Sequence, residues 1–356
     1  MNNKIPVFDG HNDTLFEFYK TNPHDVRNFA KEQLFLDIDL PRAKQGGFQG
    51  GLFSIFTPPP PESPESDPNW GLTVTDQGYS MTMSSPINPK YSQQFTDKLL
   101  AFIYWLHEEL NNEMTIIHSY KNLEENWGKK MAVVLHFEDA VPINKDLRNL
   151  EYYYEKGIRS IGIVWSRLNV FGCGVPFAFP GHPNTGDGLT SAGKNLVRAC
   201  NKLGIMIDLA HMNEKGFWDV SRTSNKPLVV THAGVHKLCN STRNVTDEQI
   251  DAVGKSDGLI GVIFEPINTR ADGKPIEDTP LKTFTDHMLY VAERIGIDHV
   301  ALGSDFDGCQ TPKDLKNVSQ LQNMIQVLRD TKLSEDEIEK IAYRNWMRIL
   351  KDTWLN

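Results

Sequence analysis

Short apolar runs rich in Val, Ile and Phe recur along the chain, with longer segments of helical period between most of them. Eight of these runs predict strands, at residues 5–8, 51–56, 132–137, 160–164, 205–209, 228–230, 259–264 and 300–302. Most are apolar throughout rather than alternating, as expected of parallel strands buried on both faces. Between them, Leu99, Leu100, Ile103 and Leu106 share one face of a helical segment at 95–110, and Leu196, Val197, Cys200 and Leu203 form a second stripe. Thr190 is a candidate cap for that second helix. Thr246 with Gln249 and Ser334 with Glu337 fit capping boxes, which start helices. Strands alternating with helices predict an α/β fold of the (β/α)8 TIM-barrel type, with an open doubly wound sheet as the alternative.

Two stretches break the alternation. Residues 57–89 are polar and Pro-rich, beginning Pro58-Pro59-Pro60-Pro61, and are too long for a plain connection. They read either as an excursion over the barrel mouth or as a surface insertion without a part in the chemistry. Residues 172–188 hold Pro176, Pro180 and Pro183 among several glycines. No internal repeat, low-complexity tail or linker divides the chain, so residues 1–356 are expected to form one barrel domain with an excursion at 57–89.

Composition narrows the partners. The 37 Lys and Arg against 46 Asp and Glu leave a formal charge of −9, and no basic run appears. Nucleic acid and anionic membrane surfaces, which need clustered positive charge, are therefore not expected partners. The four cysteines, Cys173, Cys200, Cys239 and Cys309, form no CxxC pair, which argues against a disulfide framework or a zinc–thiolate knuckle. The first residues show no apolar h-region and the last no lipid-anchor pattern, so neither a signal peptide nor an anchor is expected, and no stretch reaches the roughly 18 apolar residues of a membrane helix. The expectation is a cytoplasmic protein.

The polar residues at the ends of the predicted strands suggest what it does. The first run leads into Asp9-Gly10-His11-Asn12-Asp13, the third into Glu138, the fifth into Asp208-Leu209-Ala210-His211 and the sixth into Thr231-His232. The eighth leads into Gly303-Ser304-Asp305-Phe306-Asp307-Gly308. In a (β/α)8 barrel the C-terminal ends of all strands open on one face, where active sites lie. One strand-end histidine is commonly plain hydrogen-bonded structure; a whole set at the same end points instead to a ligand sphere. Imidazole and carboxylate together suit borderline or hard divalent ions. The supply suffices for two ions, with Glu138 as the shared carboxylate, His11 and Asp13 completing one site, and His211 and His232 the other. The i, i+2 spacing of His11 and Asp13 is expected to place both on one side of an extended strand end. Paired ions acidify water and polarise a carbonyl, which is hydrolase chemistry. Asp305 is then the acid/base that takes a proton and returns it to a leaving nitrogen.

At these same residues the sequence resembles the membrane dipeptidase (renal dipeptidase) family of zinc dipeptidases. The resemblance continues through Gly188-Leu189-Thr190, the segment 203–211, Arg243-Asn244-Val245 and a final helix at 341–350, so it covers nearly the whole chain in order. It implies a (β/α)8 barrel with two Zn2+ per chain, held by His11, Asp13, bridging Glu138, His211 and His232, and a homodimer. It implies that Asp305 shuttles the proton and that Arg243 grips the C-terminal carboxylate of a dipeptide, a two-pronged match for a guanidinium. The chain departs from the family at two places. Trp165 stands where a substrate-polarising histidine is usual, leaving His136, Arg167 and His182 as candidates for the missing donor. Glu138-Asp139-Ala140-Val141 stands for the usual Glu-Gly-Gly-His. The leading expectation is a binuclear zinc dipeptidase. A metal-dependent amidohydrolase of N-acyl amino acids or other small amides is the alternative, and a non-enzymatic metal-binding barrel is a third, less favoured one.

Overall fold

Eight parallel strands follow one another around a barrel in the computed structural model, which describes residues 4–355. They are β1 (Val7–Asn12), β2 (Phe48–Ile55), β3 (Met131–Phe137), β4 (Ile158–Gly162), β5 (Met206–Asp208), β6 (Val229–Ala233), β7 (Leu259–Val262) and β8 (Val300–Leu302). Each pairs in parallel with the next, and helices occupy most of the connections, so the (β/α)8 barrel holds. The open-sheet alternative falls because the two edges meet. Asn12 bridges Phe306, the Asp13 amide donates to the Phe306 carbonyl at 2.9 Å, and the Asp305 amide donates to the His11 carbonyl at 2.9 Å. Asp9 completes the seam by accepting from the amide and hydroxyl of Ser304 at 2.7 and 2.8 Å.

Alternation along the strands explains how one barrel carries both a core and a site. Phe8, Leu52, Ala132, Val134, Met206, Val229, Leu259 and Ala301 pack together with Trp346, away from the larger cluster between sheet and helices. On β3 that inward face runs from Ala132 and Val134 to His136 and then Glu138, just past the strand. Its start is apolar and its end titratable. Trp346 closes the apolar end, its indole N–H donating to the Leu302 carbonyl at 2.9 Å. Gly10 must be glycine there, because a Cβ would collide with the Trp346 ring and the Thr231 and Leu302 carbonyls.

The helix starts are as expected. Thr190 accepts from the Gly193 amide at 3.1 Å and begins the helix Ser191–Leu203. Both capping boxes are complete, at Asp247–Lys255 and Glu335–Glu339. The final helix differs, since Lys340–Arg344 forms a π turn before Asn345–Thr353. Strand limits also shift: β1 begins two residues later than expected and runs on through His11, while β4 and β7 stop at Gly162 and Val262.

The two irregular stretches, read separately in the sequence, meet in space. Residues 72–81 form an antiparallel hairpin, Leu72–Thr75 with Gly78–Met81, whose second strand pairs with Ala178–Phe179. Tyr79 stacks on Phe179 with ring centroids 6.3 Å apart. A further short strand, Met114–Ile116, pairs with β3 off the barrel path. Among the described residues no helix is long and apolar enough to cross a membrane.

Candidate active site

Five of the expected ligands converge at the mouth, around one oxygen of Glu138. Its Oε1 lies 3.7 Å from His11 Nε2, 3.2 Å from His211 Nε2 and 3.9 Å from His232 Nε2. Asp13 Oδ2 and Asp305 Oδ1 each lie 3.7 Å from His11 Nε2. Two sets of ligand-type atoms, His11–Asp13–Glu138 and Glu138–His211–His232, each lie within 4.8 Å of one another and have Glu138 in common. His11, His232 and Asp305 form a third such set. The i, i+2 argument for His11 and Asp13 does not survive. The strand ends at Asn12, and Asp13, at φ −99° and ψ 13°, is the first flanking residue of the helix Thr14–Thr21. The turn into that helix, rather than an extended strand, points the two side chains at the same place.

The surrounding hydrogen bonds orient the imidazoles. Asp208 accepts from the Ala210 and Thr231 amides at 2.9 Å and from the Thr231 hydroxyl at 2.7 Å. That hydroxyl has spent its one proton, so it accepts from His232 Nδ1–H at 2.8 Å, and His232 Nε2 keeps its lone pair for the cluster. Ser166 Oγ meets His211 Nδ1 at 3.0 Å, and Ser54 Oγ donates to Glu138 Oε2 at 3.2 Å. Backbone strain collects here too. His211, Asp305 and Asp307 have φ of 61°, 63° and 64°, a left-handed region costing roughly 1–3 kcal/mol for such residues. Gly308 stays small because a Cβ would strike the carboxylates of Asp13 and Asp305.

The charge pattern is that of a cation pocket. Burial, then the Asp13 carboxylate, pushes Glu138 up to about 8. Burial raises Asp305 well above the usual carboxylate range. Burial alone lowers His11, but Glu138, Asp13 and Asp305 together lift it to about 10. Burial, with Arg243 and His11 adding to it, holds His211 and His232 well below the usual imidazole range, in their neutral ligand form. His11 Nδ1 and Nε2 and Asp13 Oδ1 are buried without a hydrogen-bond partner. Unpartnered buried nitrogen and oxygen atoms aimed at shared carboxylates fit divalent metal ions.

Beside the cluster lies a cavity of about 190 Å³. Asp13, Glu138, His211 and Asp305 line one side, and Phe16, Phe56, Trp165 and Phe177 form an aromatic wall. Trp165 sits 5.8 Å from the His211 ring, between Phe56 at 5.1 Å and Phe177 at 5.5 Å. Arg243 is buried, reaches the cavity, and donates to the His232 carbonyl at 3.2 Å.

None of the three candidates for the donor missing at Trp165 lines this cavity. His136 lies beneath the cluster, with Nδ1 on Ser160 Oγ at 2.9 Å. His182 is half exposed, 3.7 Å from Glu214. Arg167 is fully buried, donating to Asp139 at 2.7 Å and to the Thr57 carbonyl at 2.9 Å. The two places where the chain departs from the family pattern therefore touch, through Arg167 and Asp139. Glu265 was missed in the sequence and also lines the cavity. Its one available signal was a carboxylate directly after the apolar run 259–264, at the same strand end as the others.

The family model for membrane dipeptidase, peptidase family M19, matches residues 1–355. A metallopeptidase of Rhodobacter sphaeroides, solved with a phosphinate mimic of the dipeptide L-Ala-D-Ala, superposes with a TM-score of 0.94 at 35% identity, covering 99% of this chain and 100% of that one. The structure of dipeptidase AC, also of family M19, superposes at 0.91 and 35% identity over 99% of both chains. A Klebsiella pneumoniae protein known only as the uncharacterized protein in the pqqA 5' region is 45% identical over 226 residues, 64% of this chain and 83% of that protein. The chain belongs to the membrane dipeptidase family, peptidase family M19, and is a metal-dependent dipeptidase.

Proposed function

We propose that the chain hydrolyses dipeptides using two divalent cations, zinc by family resemblance, with Glu138 shared between His11–Asp13 and His211–His232. The observation that carries this reading is the pair of ligand sets with Glu138 in common, at the edge of a cavity of about 190 Å³. Bound there, the cations supply an acidified water and polarise the scissile carbonyl. The protein's own residues do the rest. Arg243, rigid and permanently charged, holds the C-terminal carboxylate of the dipeptide in a two-pronged grip. Asp305, kept protonation-prone by burial, takes up a proton and delivers it to the departing amine. The hydroxyls of Thr231 and Ser166 hold the two imidazoles in place through the reaction. The aromatic wall excludes water and receives an apolar side chain.

The test is a panel of L,L and L,D dipeptides offered to the metal-loaded protein, together with elemental analysis. L-Ala-D-Ala belongs in the panel because the Rhodobacter relative binds a mimic of it. Two metals per chain and turnover of some member are expected; turnover of none would sink the reading. The aromatic neighbours of Trp165, Phe56 and Phe177, favour a second reading, in which the amino-terminal partner is an acyl group. Equal turnover of N-acyl amino acids and matching dipeptides is its signature.

A further inference from the structure

The cavity is markedly acidic. Asp13, Glu17, Glu138, Glu265, Asp305 and Asp307 line it, against a single guanidinium, Arg243. Five of these carboxylates have an evident occupation. Asp13, Glu138 and Asp305 belong to the metal-ligand cluster. Glu17 pairs with Lys20 at 2.6 Å. Asp307 accepts from the Asp37 amide at 2.7 Å and the Thr14 hydroxyl at 2.5 Å. Glu265 and Asp307 are outside the cluster and, among the described residues, neither has a Lys, Arg or His within ion-pair distance; Asp307 is bonded back to the chain by two donors, Glu265 by one side-chain amide. Glu265 is nevertheless firmly placed. Its Oε2 accepts from the Asn268 amide, whose own oxygen accepts from Ser241 Oγ at 2.7 Å. Burial pushes Glu265 up to about 7, so a cationic neighbour would draw it to its charged form. Tyr79, from the excursion hairpin, faces the same group: burial, then the charge of Glu265, raises its hydroxyl.

We propose that Glu265 selects dipeptides whose C-terminal residue carries a cationic side chain. The inference rests on the dipeptidase reading above, in which Arg243 takes the C-terminal carboxylate. Arg243, Ile263 and Glu265 line the same cavity. A dipeptide whose carboxylate is gripped by Arg243 thus has Ile263 and Glu265 in the same cavity to meet its C-terminal side chain. An ammonium or guanidinium there meets a preoriented carboxylate that, among the described residues, no protein cation holds within ion-pair distance. An acidic side chain meets repulsion.

The experiment compares kcat/KM of the metal-loaded full chain for Ala-Lys, Ala-norleucine and Ala-Glu, each with an L or a D second residue. Lysine and norleucine have nearly the same length, so their ratio isolates the charge. The wild type is expected to prefer Ala-Lys to Ala-norleucine roughly tenfold or more, with Ala-Glu slowest. Glu265→Gln brings the ratio close to one, and Glu265→Lys turns the preference toward Ala-Glu. Melting temperature and metal content of each variant show that it is folded and loaded. A wild-type ratio near one overturns the proposal without needing any variant. A ratio unchanged in Glu265→Gln overturns it too, and a uniform loss on all three substrates reassigns Glu265 to the common α-ammonium. If the wild type cleaves no dipeptide of any kind, it is the dipeptidase reading that fails, and this inference falls with it.

Discussion

The cluster side of the cavity is held by polar contacts from neighbouring strand ends, whereas the facing wall is held by aromatic packing from connections. His232 is steadied by Thr231 and Asp208, and His211 by Ser166. Trp165, Phe56 and Phe177 steady one another through ring contacts of 5.1 to 5.5 Å. Ligand chemistry admits few residue types and tight geometry, so the first side tolerates little change. Apolar walls admit many shapes, so the second side is where a family can change substrate without losing its metals. Both departures from the family pattern, at Trp165 and at Asp139, lie toward the wall. They are joined by the Arg167 guanidinium, which donates to Asp139 at 2.7 Å and lies 5.1 Å from the Trp165 ring.

The contrast can be broken at either side. The largest effect is expected from His211→Ala, which removes one metal per chain and essentially abolishes turnover; elemental analysis alongside a dipeptide assay checks it. Chelation should do the same reversibly, and near-wild-type activity in metal-free buffer would refute the metal assignment. Asp305→Asn is expected to lower kcat by about 10²–10⁴-fold with the metals retained. Loss of a metal as well would move Asp305 into the ligand set, where its proximity to His11 and His232 already makes it eligible. Thr231→Val unfastens His232 without touching a ligand, and titration in zinc buffers should show affinity weakened by about 10–100-fold. On the wall, Trp165→Ala leaves metal content unchanged and raises KM for dipeptides with a large apolar side chain by about tenfold. Least of all, Thr246→Ala breaks a capping box on the outer layer. It is expected to cost about 1 kcal/mol in urea unfolding with kcat/KM unaltered.

The sequence spoke clearly about the first side and faintly about the second, for physical reasons. Strands buried on both faces leave uninterrupted apolar runs, and a polar residue at the end of such a run is conspicuous. His11, Glu138, His211, His232 and Asp305 all stand out in that way, and the fold brings their ligand-type atoms together. Asp13 was found with the wrong local geometry, because a chain turning from strand into helix carries no marker of its own there. Glu265 follows an apolar run just as Glu138 does, but nothing in the sequence says which strand-end carboxylates face the cavity. The hairpin at 72–81 was invisible for another reason. The strand Leu72–Thr75 is exposed along its length, so it lacks the buried face that periodicity detects, and Ala178–Phe179, which pairs with the second strand Gly78–Met81, lies about a hundred residues away.

The seam between β1 and β8 also bears on how the enzyme comes into being. Asp9 and Ser304, whose bonds lock it, are 295 residues apart in the chain. A ring of parallel strands rewards its last pairing only when both edges exist, and long-range closures of this kind are intrinsically slow. His11 and Asp13 sit on one lip of that seam and Asp305 on the other. The other ligand set, Glu138, His211 and His232, lies at the ends of β3, β5 and β6, away from that seam. The full constellation therefore exists only in a closed ring, which makes closure of the barrel and completion of the site one and the same event.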